Sequence, residues 1–240
     1  MAAIEDLRVP NLFLASLPRD DYEQLRPHLE PVDLPSRTIL YEMGEPIEHC
    51  TFADRGMASL VIRLEDGALI EAGVIGKEGF AGLPALFGPD AAAPHMSMMQ
   101  IPGRGVRIKA ALLREEMFRS PTILDRVLRF SQALNIQISQ TAVCNAHHEL
   151  QERLARWLLM AHDRADSDDL PLTHEFVSMM LAVRRAGVTV AARTLQGIGA
   201  IHYERGRIIV VDRVRLEEAS CECYAIVRAH FERLLGWPAG

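Results

Sequence analysis

The chain has 240 residues, 49% hydrophobic and 24% charged, with 16 Gly, 13 Pro and a formal net charge of −6 at pH 7. That length makes one large domain or two small ones, and the composition supports a packed core and excludes wholesale disorder. Apolar stretches such as Trp157-Leu158-Leu159-Met160-Ala161 fall far short of the ~20 residues that span a bilayer, and the start, MAAIEDLRVP, lacks the apolar run of a secretory signal, so a cytoplasmic protein with no membrane contact is expected.

Residues 1–20 hold a short amphipathic segment. Residues 21–30 predict a helix, with Tyr22, Leu25 and Leu29 on one face. From about 31 to 110, short apolar runs (38–41, 58–62, 69–72, 105–108) alternate with turn signals at Met43-Gly44-Glu45-Pro46, Arg55-Gly56, Glu65-Asp66-Gly67, Gly76-Lys77-Glu78-Gly79 and Pro102-Gly103. Asp66-Gly67 between two apolar runs is a hairpin signal, and the spacing predicts an antiparallel β-sandwich or jelly-roll-like barrel.

From 110 the period turns helical. A short helix covers Ala110 to Phe118, and Pro121 suits the first turn of a long one over 122–146, which contains no Gly or Pro. Val127, Leu134 and Thr141 stand one heptad apart, with Ile138 between the last two. Such a stripe pairs across a dimer axis or packs on the chain's own sandwich; the first is taken as the dimer interface. Glu149 to Arg164 continues helical, Asp166 to Asp169 is a polar break, and helical segments follow at 173–182, 188–198 and 215–235. The chain therefore divides into a β-rich unit (1–120), a linking helix and hinge (121–148) and a carboxy-terminal unit (149–240), an α+β protein overall.

The carboxy-terminal unit carries the chemistry. Thr173 caps a helix that turns Phe176, Val177 and Met180 inward. A turn through Ala182-Val183 brings Arg184 and Arg185 just ahead of a second helix bearing Val188, Ala191, Leu195 and Ile198, which Gly199 stops. A hairpin follows, with Glu204-Arg205-Gly206-Arg207 at its tip, the layout of a winged helix-turn-helix. Residues 170–215 hold Arg184, Arg185, Arg193, Arg205, Arg207, Arg213 and Arg215 against Glu175, Glu204 and Asp212, a basic region in an acidic chain. All but Lys77 and Lys109 of the 26 basic residues are arginine, the side chain suited to phosphate and guanine, although composition bias gives the same excess.

The strand-rich first half, long helix and winged helix-turn-helix resemble the CRP/FNR superfamily of bacterial transcription regulators. The more specific matches are Gly44-Glu45 after a strand, Gly79-Phe80-Ala81-Gly82 followed by Leu86-Phe87, Leu154-Ala155-Arg156-Trp157-Leu158-Leu159, and Leu170-Pro171-Leu172-Thr173-His174-Glu175. The resemblance implies a homodimer that binds double-stranded DNA, with RNA polymerase as a further partner and a small-molecule effector of unknown identity. It implies DNA contacts from Thr173, Arg184, Arg185, Thr189, Arg193, Arg205 and Arg207, and an effector pocket around Gly79, Phe80, Gly82, Leu83, His95 and Met96. Counted forward from Thr173, the family's main base-contacting arginine falls on Arg185, with Ala186 in place of its usual Glu. Counted back from Arg193-Thr194-Leu195, it falls on Val188.

The family's cyclic-nucleotide binders use an Arg-Ser pair for phosphate and a Glu for ribose. Here Leu83 stands where the Glu would lie, Ala93 to Met98 fill the Arg-Ser region, and no Arg lies between Arg63 and Arg104. Weak or no cyclic-nucleotide binding is expected, with Lys77 or Arg104 left for a different anion. The first cysteine is Cys50, so an amino-terminal iron–sulfur cluster is not expected; nor is a haem on His49, Cys50 or His95. Cys144, His147 and His148 have helical ligand spacing but no evident fourth ligand, and Cys221-Glu222-Cys223 is poorly spaced for zinc, so no metal or cofactor is expected. The rivals are a cupin-like enzyme and a metal- or redox-sensing protein with a degenerate DNA head. No His-x-His, Gly-x-Ser-x-Gly, P-loop or Gly-x-Gly-x-x-Gly motif supports an enzyme.

Overall fold

A computed structural model describes residues 10–88 and 91–237. The first nine residues of the amino-terminal amphipathic segment thus lie outside the described residues. The chain runs α1 (Leu12–Ala15), α2 (Arg19–Leu25), β1 (Glu30–Leu34), β2 (Ile39–Tyr41), β3 (His49–Arg63), β4 (Leu69–Ile75), β5 (Met96–Lys109), α3 (Ala110–Arg119) and α4 (Pro121–His147). It continues through α5 (Leu150–His162), β6 (Asp169–Leu170), α6 (His174–Met180), α7 (Arg185–Gly197), β7 (Ile201–Glu204), β8 (Arg207–Val210), α8 (Arg213–Glu218) and α9 (Cys223–Leu235).

The β-rich half is an antiparallel sheet in the order β1-β5-β3-β4, with β2 added alongside β5. The expected hairpin at Asp66-Gly67 joins β3 to β4: Gly67 has φ +84, and the Asp66 carboxylate accepts from the Ala68 N–H at 2.9 Å. Two other turn signals do not reverse the chain. Arg55-Gly56 and Pro102-Gly103 lie inside β3 and β5, whose register shifts between Ala53 and Ala58. At this crossing the backbones come so close that a Cβ on Gly103 would lie 1.9 Å from the Arg55 carbonyl oxygen. The bulges bend both long strands, so one sheet curls over its own core instead of ending in turns.

Inside the curl lie Phe52, Leu60, Phe80, Leu86 and Ile108, capped by Phe13 of α1 and Phe130 of α4. Phe13, Phe52, Phe80 and Phe130 form a cluster with ring centroids 5.0–6.3 Å apart. Helix α4 starts as its sequence predicts, with Pro121 in the first turn and Ser120 Oγ accepting from the Ile123 N–H at 3.2 Å. Its Val127–Leu134–Thr141 stripe does not face outward. Val127 and Leu134 are buried against the chain's own β-domain, Ile138 packs beside them, and Thr141 Oγ1 accepts from buried Arg156 at 2.9 Å. Apolar residues at this spacing were satisfied by the nearest sheet, which corrects their reading as a dimer interface. The outward stripe of α4 instead holds Leu128, Gln132, Asn135, Ser139, Ala142 and Val143.

The two halves share one core. Met57, Val61, Val74 and Met96 of the sheet meet Trp157 and Met160 of α5 and Met180 of α6 in a single apolar cluster. Two buried polar contacts pin this seam. Glu71 accepts from Trp157 Nε1 at 2.7 Å and from Ser59 Oγ. Glu78 pairs with Arg164 through Nη2 and Nε at 2.7 and 2.9 Å, with both residues almost wholly buried. The segment expected as one helix over 215–235 is two, α8 and α9, separated by residues 219–222. Helix α9 folds back along α4, where Val227, Phe231 and Leu234 cover Ala133.

Candidate nucleic-acid interface and sensor cavity

The head is built from α5 to α8 and the β6-β8-β7 sheet. Thr173 caps α6, its Oγ1 accepting from the Phe176 N–H at 3.2 Å, so this hydroxyl already serves the fold. The chain leaves α6 through a left-handed Ala182 (φ 52), with the Val183 N–H reaching the Ser178 carbonyl at 3.0 Å. Four residues, 181–184, separate the helices. Arg184 caps α7 and Arg185 is its first residue, so the second helix starts three residues earlier than expected, over Arg185–Gly197. Its end is a Schellman closure: the Ala200 N–H bonds to the Leu195 carbonyl and that of left-handed Gly199 to Gln196, both at 3.0 Å.

This frame settles the register of α7. Val188, Ala191, Ala192 and Leu195 are buried beneath it. Val188, where the backward count falls, is therefore closed to solvent. The opposite face presents Arg185, Ala186, Val190, Arg193, Thr194 and Gly197 to solvent. Val190 on this face is 64% exposed. Thr189 is held inward of that face, with Oγ1 3.1 Å from His174 Nδ1 and bonded to the Arg185 carbonyl.

The wing is the β7–β8 hairpin, whose tip residues Arg205 (φ 46) and Gly206 (φ 82) give the left-handed pair of a type I′ turn. Its base is fixed to the helices: Tyr203 stacks on His174 with centroids 3.7 Å apart, and the Tyr203 N–H donates to Gln196 Oε1 at 3.0 Å. Burial lowers the His174 pKa, and the nearby charges of Arg185 and Arg193 lower it further, so the ring is neutral at pH 7.

The seven arginines separate into two groups. Arg213 is sunk among Asp163, Glu217 and Tyr224. Arg215 bonds to Asp212 and the Ile198 carbonyl, and Arg207 grips Asp169 through Nε at 2.8 Å and Nη2 at 2.5 Å. Arg207 thus braces the wing against β6, while 58% of its side chain stays exposed. Arg184, Arg185 and Arg193 form no ion pair among the described residues, and the Arg205 side chain is 90% exposed, with only Glu204 at 3.5 Å beside it.

The expected effector residues scatter. Phe80 lies in the aromatic core, Gly79 packs against the Phe130 ring, Gly82 against Cys50, and Met96 is buried at the seam beneath Arg63. Leu83 and His95 do line a cavity of about 300 Å³ between the sheet and α4, together with Tyr41, Leu134, Asn135 and Ile138. Two residues first read as a dimer stripe are therefore a wall of this cavity. Its polar groups are His95, Tyr41 (hydroxyl 3.3 Å from His95 Nδ1), Ser131 and Asn135; among the described residues no Arg or Lys lines it. Burial lowers the His95 pKa, so this ring adds no positive charge.

Among curated proteins no relative matches the chain. Residues 152–219 match the family model of the Crp-like helix-turn-helix domain. A CRP/FNR-family transcriptional regulator from Eubacterium rectale aligns with a TM-score of 0.67 at 17% identity, over 85% of this chain and 95% of that one. The c-di-GMP responsive global regulator CLP of Xanthomonas campestris aligns at 0.64 and 17%, over 81% and 100%. A CRP-family transcriptional regulator of Thermus thermophilus aligns at 0.64 and 21%, over 79% and 96%. These likenesses show the fold, and no helix among the described residues is long and apolar enough to cross a membrane. Residues 152–219 are thus similar to a Crp-like helix-turn-helix domain, with guanidinium groups flanking an exposed helix face, and the chain has the fold of these regulators.

Proposed function

We propose that α7 enters the major groove with Arg185 and Arg193 on base edges and Val190 against a thymine methyl, while Arg184 and Arg205 hold phosphates on either side. The observation that carries this is the pairing pattern of the arginines: among the described residues those on the α7 face form no ion pair and the wing-tip Arg205 meets only its neighbour Glu204, while those behind them are spent on the fold. Arginine forks match guanine O6 and N7, and wing contacts to phosphate position the head without reading sequence. Thr173 and Thr189, whose hydroxyls are already bonded, contribute through position only.

The working unit is a homodimer paired through the outward stripe of α4, where Leu128 is 55% exposed. Two heads related by a two-fold axis read half-sites about one helical turn apart. The sensor cavity admits an uncharged ligand and rejects a cyclic nucleotide, because a buried phosphate needs guanidinium or several aimed donors, and this lining has neither. The role is regulatory, not catalytic, and cytoplasmic.

Salt titration of binding to a fluorescent duplex tests the DNA reading. Each phosphate neutralised contributes about −0.9 to the slope of log K against log salt, so two phosphate contacts per head predict a dimer slope near about −4. A flat salt response would refute it. Light scattering on Leu128→Glu tests the dimer: a fall from dimer to monomer mass is expected, and an unchanged dimer places the interface elsewhere.

A further inference from the structure

Away from the DNA face and the sensor cavity, the structure gathers three of the four cysteines in one place. Cys144 lies in the last turn of α4 and His148 is the residue that caps it. Cys221 lies in the break between α8 and α9, and Cys223 is the first residue of α9. One ligand atom from each of the four residues falls within 4.8 Å of all the others. The Cys144 and Cys221 sulfurs are 3.5 Å apart, and the Cys223 sulfur is 3.5 Å from His148 Nδ1. All three cysteines are buried, and His147, the exposed neighbour, takes no part.

The two 3.5 Å pairs have the spacing of a mononuclear tetrahedral site, and the remaining donor pairs lie within 4.8 Å. With Zn–S near about 2.3 Å and Zn–N near about 2.0 Å, donor atoms in a tetrahedron stand about 3.5–3.8 Å apart. A cluster with its own iron and sulfide between the ligands needs more room than this set leaves. Three thiolates and one imidazole form a closed, soft donor set that suits zinc and has no open position for catalysis. The surroundings are those of a ligand shell. His148 turns Nδ1 to the sulfurs and Nε2 to the Glu222 carboxylate at 3.2 Å, the arrangement that fixes a metal-bound imidazole. Gln140 Nε2 donates to the Cys223 sulfur at 3.1 Å. The buried guanidinium of Arg156, with Nε lacking any partner, stands close enough to Cys144 to balance thiolate charge.

We propose that Cys144, His148, Cys221 and Cys223 bind one zinc ion, which fastens the end of the long helix to the start of α9. The site was invisible along the chain because its halves are separated by more than 70 residues; only the fold brings Cys221 and Cys223 to Cys144 and His148. Zinc here joins the end of α4 to the start of α9.

The test uses the full chain, stripped of metal under reducing conditions and titrated with cobalt(II), then zinc. One equivalent of cobalt is expected to give thiolate-to-cobalt charge-transfer and tetrahedral ligand-field bands that zinc abolishes, and zinc is expected to raise the melting temperature. Cys223→Ser and His148→Ala are expected to weaken affinity about a hundredfold or more, beyond what loss of a supporting contact costs. His147→Ala is expected to match the parent, and His148→Cys to keep cobalt with a spectrum shifted toward four thiolates, which separates ligand loss from misfolding. Absence of charge-transfer bands, equal losses in the His147 and His148 variants, or a Cys144–Cys221 disulfide formed with an equivalent of zinc present would each overturn the proposal.

Discussion

Glu71 should make the seam between the two halves weaken as pH rises. Its carboxylate is 5% exposed, and burial pushes its pKa up from 4.5 to about 7 despite the hydrogen bonds from Ser59 and Trp157 and the charges of Arg156 and Arg164. The folded chain therefore keeps a proton that the unfolded chain releases. Stability from this group is fully present below about pH 4.5 and drains away as pH climbs through 7. A change of that size is worth about 3 kcal/mol across the window. Glu71→Gln keeps an acceptor for Trp157 Nε1 and removes the titration. The stability of the variant relative to the parent is thus expected to improve by about 3 kcal/mol between about pH 4 and pH 8, read from urea midpoints at constant ionic strength. A difference that stays flat across that range would refute the reasoning, because it would mean the carboxyl ionises no less readily when folded than when unfolded.

Other substitutions separate reading from bracing. Arg185→Ala is expected to cost about 1–3 kcal/mol of discrimination between the best operator and a single-base mismatch, measured by competition binding. Arg207→Ala, which loosens the wing from Asp169, is expected to leave base preference intact while lowering affinity on all sequences; an altered preference would return Arg207 to the reading surface. Arg164→Leu leaves the buried Glu78 carboxylate without its counter-charge, held only by the Gly76 N–H, and is expected to cost about 3–5 kcal/mol, with Glu78→Gln added to it recovering much of the loss. Gly103→Ala forces a methyl into the Arg55 carbonyl and is expected to lower stability by about 2 kcal/mol or more; a neutral result would show that the bend can relax.

Signals that act within a few residues were legible in the chain. Ser120 and Pro121 mark the start of α4, Asp66-Gly67 marks the hairpin, and Gly199 marks the end of α7, because each sets the backbone locally. Where the partner decides, the sequence was ambiguous. Gly56 signals a turn on its own, yet opposite Gly103 it permits a bend within a continuous strand. Heptad spacing put Val127 and Leu134 on one face but not against any particular surface, and the chain's own sheet was nearer than a second copy. Arg207 and Arg193 look alike in a charge count; Asp169, 38 residues away, distinguishes them. Cys144 and Cys221 likewise acquire meaning only when α9 returns to α4.

The apolar cluster that runs unbroken from Met57 to Leu195 constrains how the molecule can move. A head on a loose tether reorients at little cost, whereas here separating the halves would expose Val61, Trp157 and Met180 together to water. The two halves must melt as one cooperative unit, and a fragment cut at the hinge would carry a sticky face. Any change of state therefore has to slide packed surfaces past each other, trading one set of buried contacts for another.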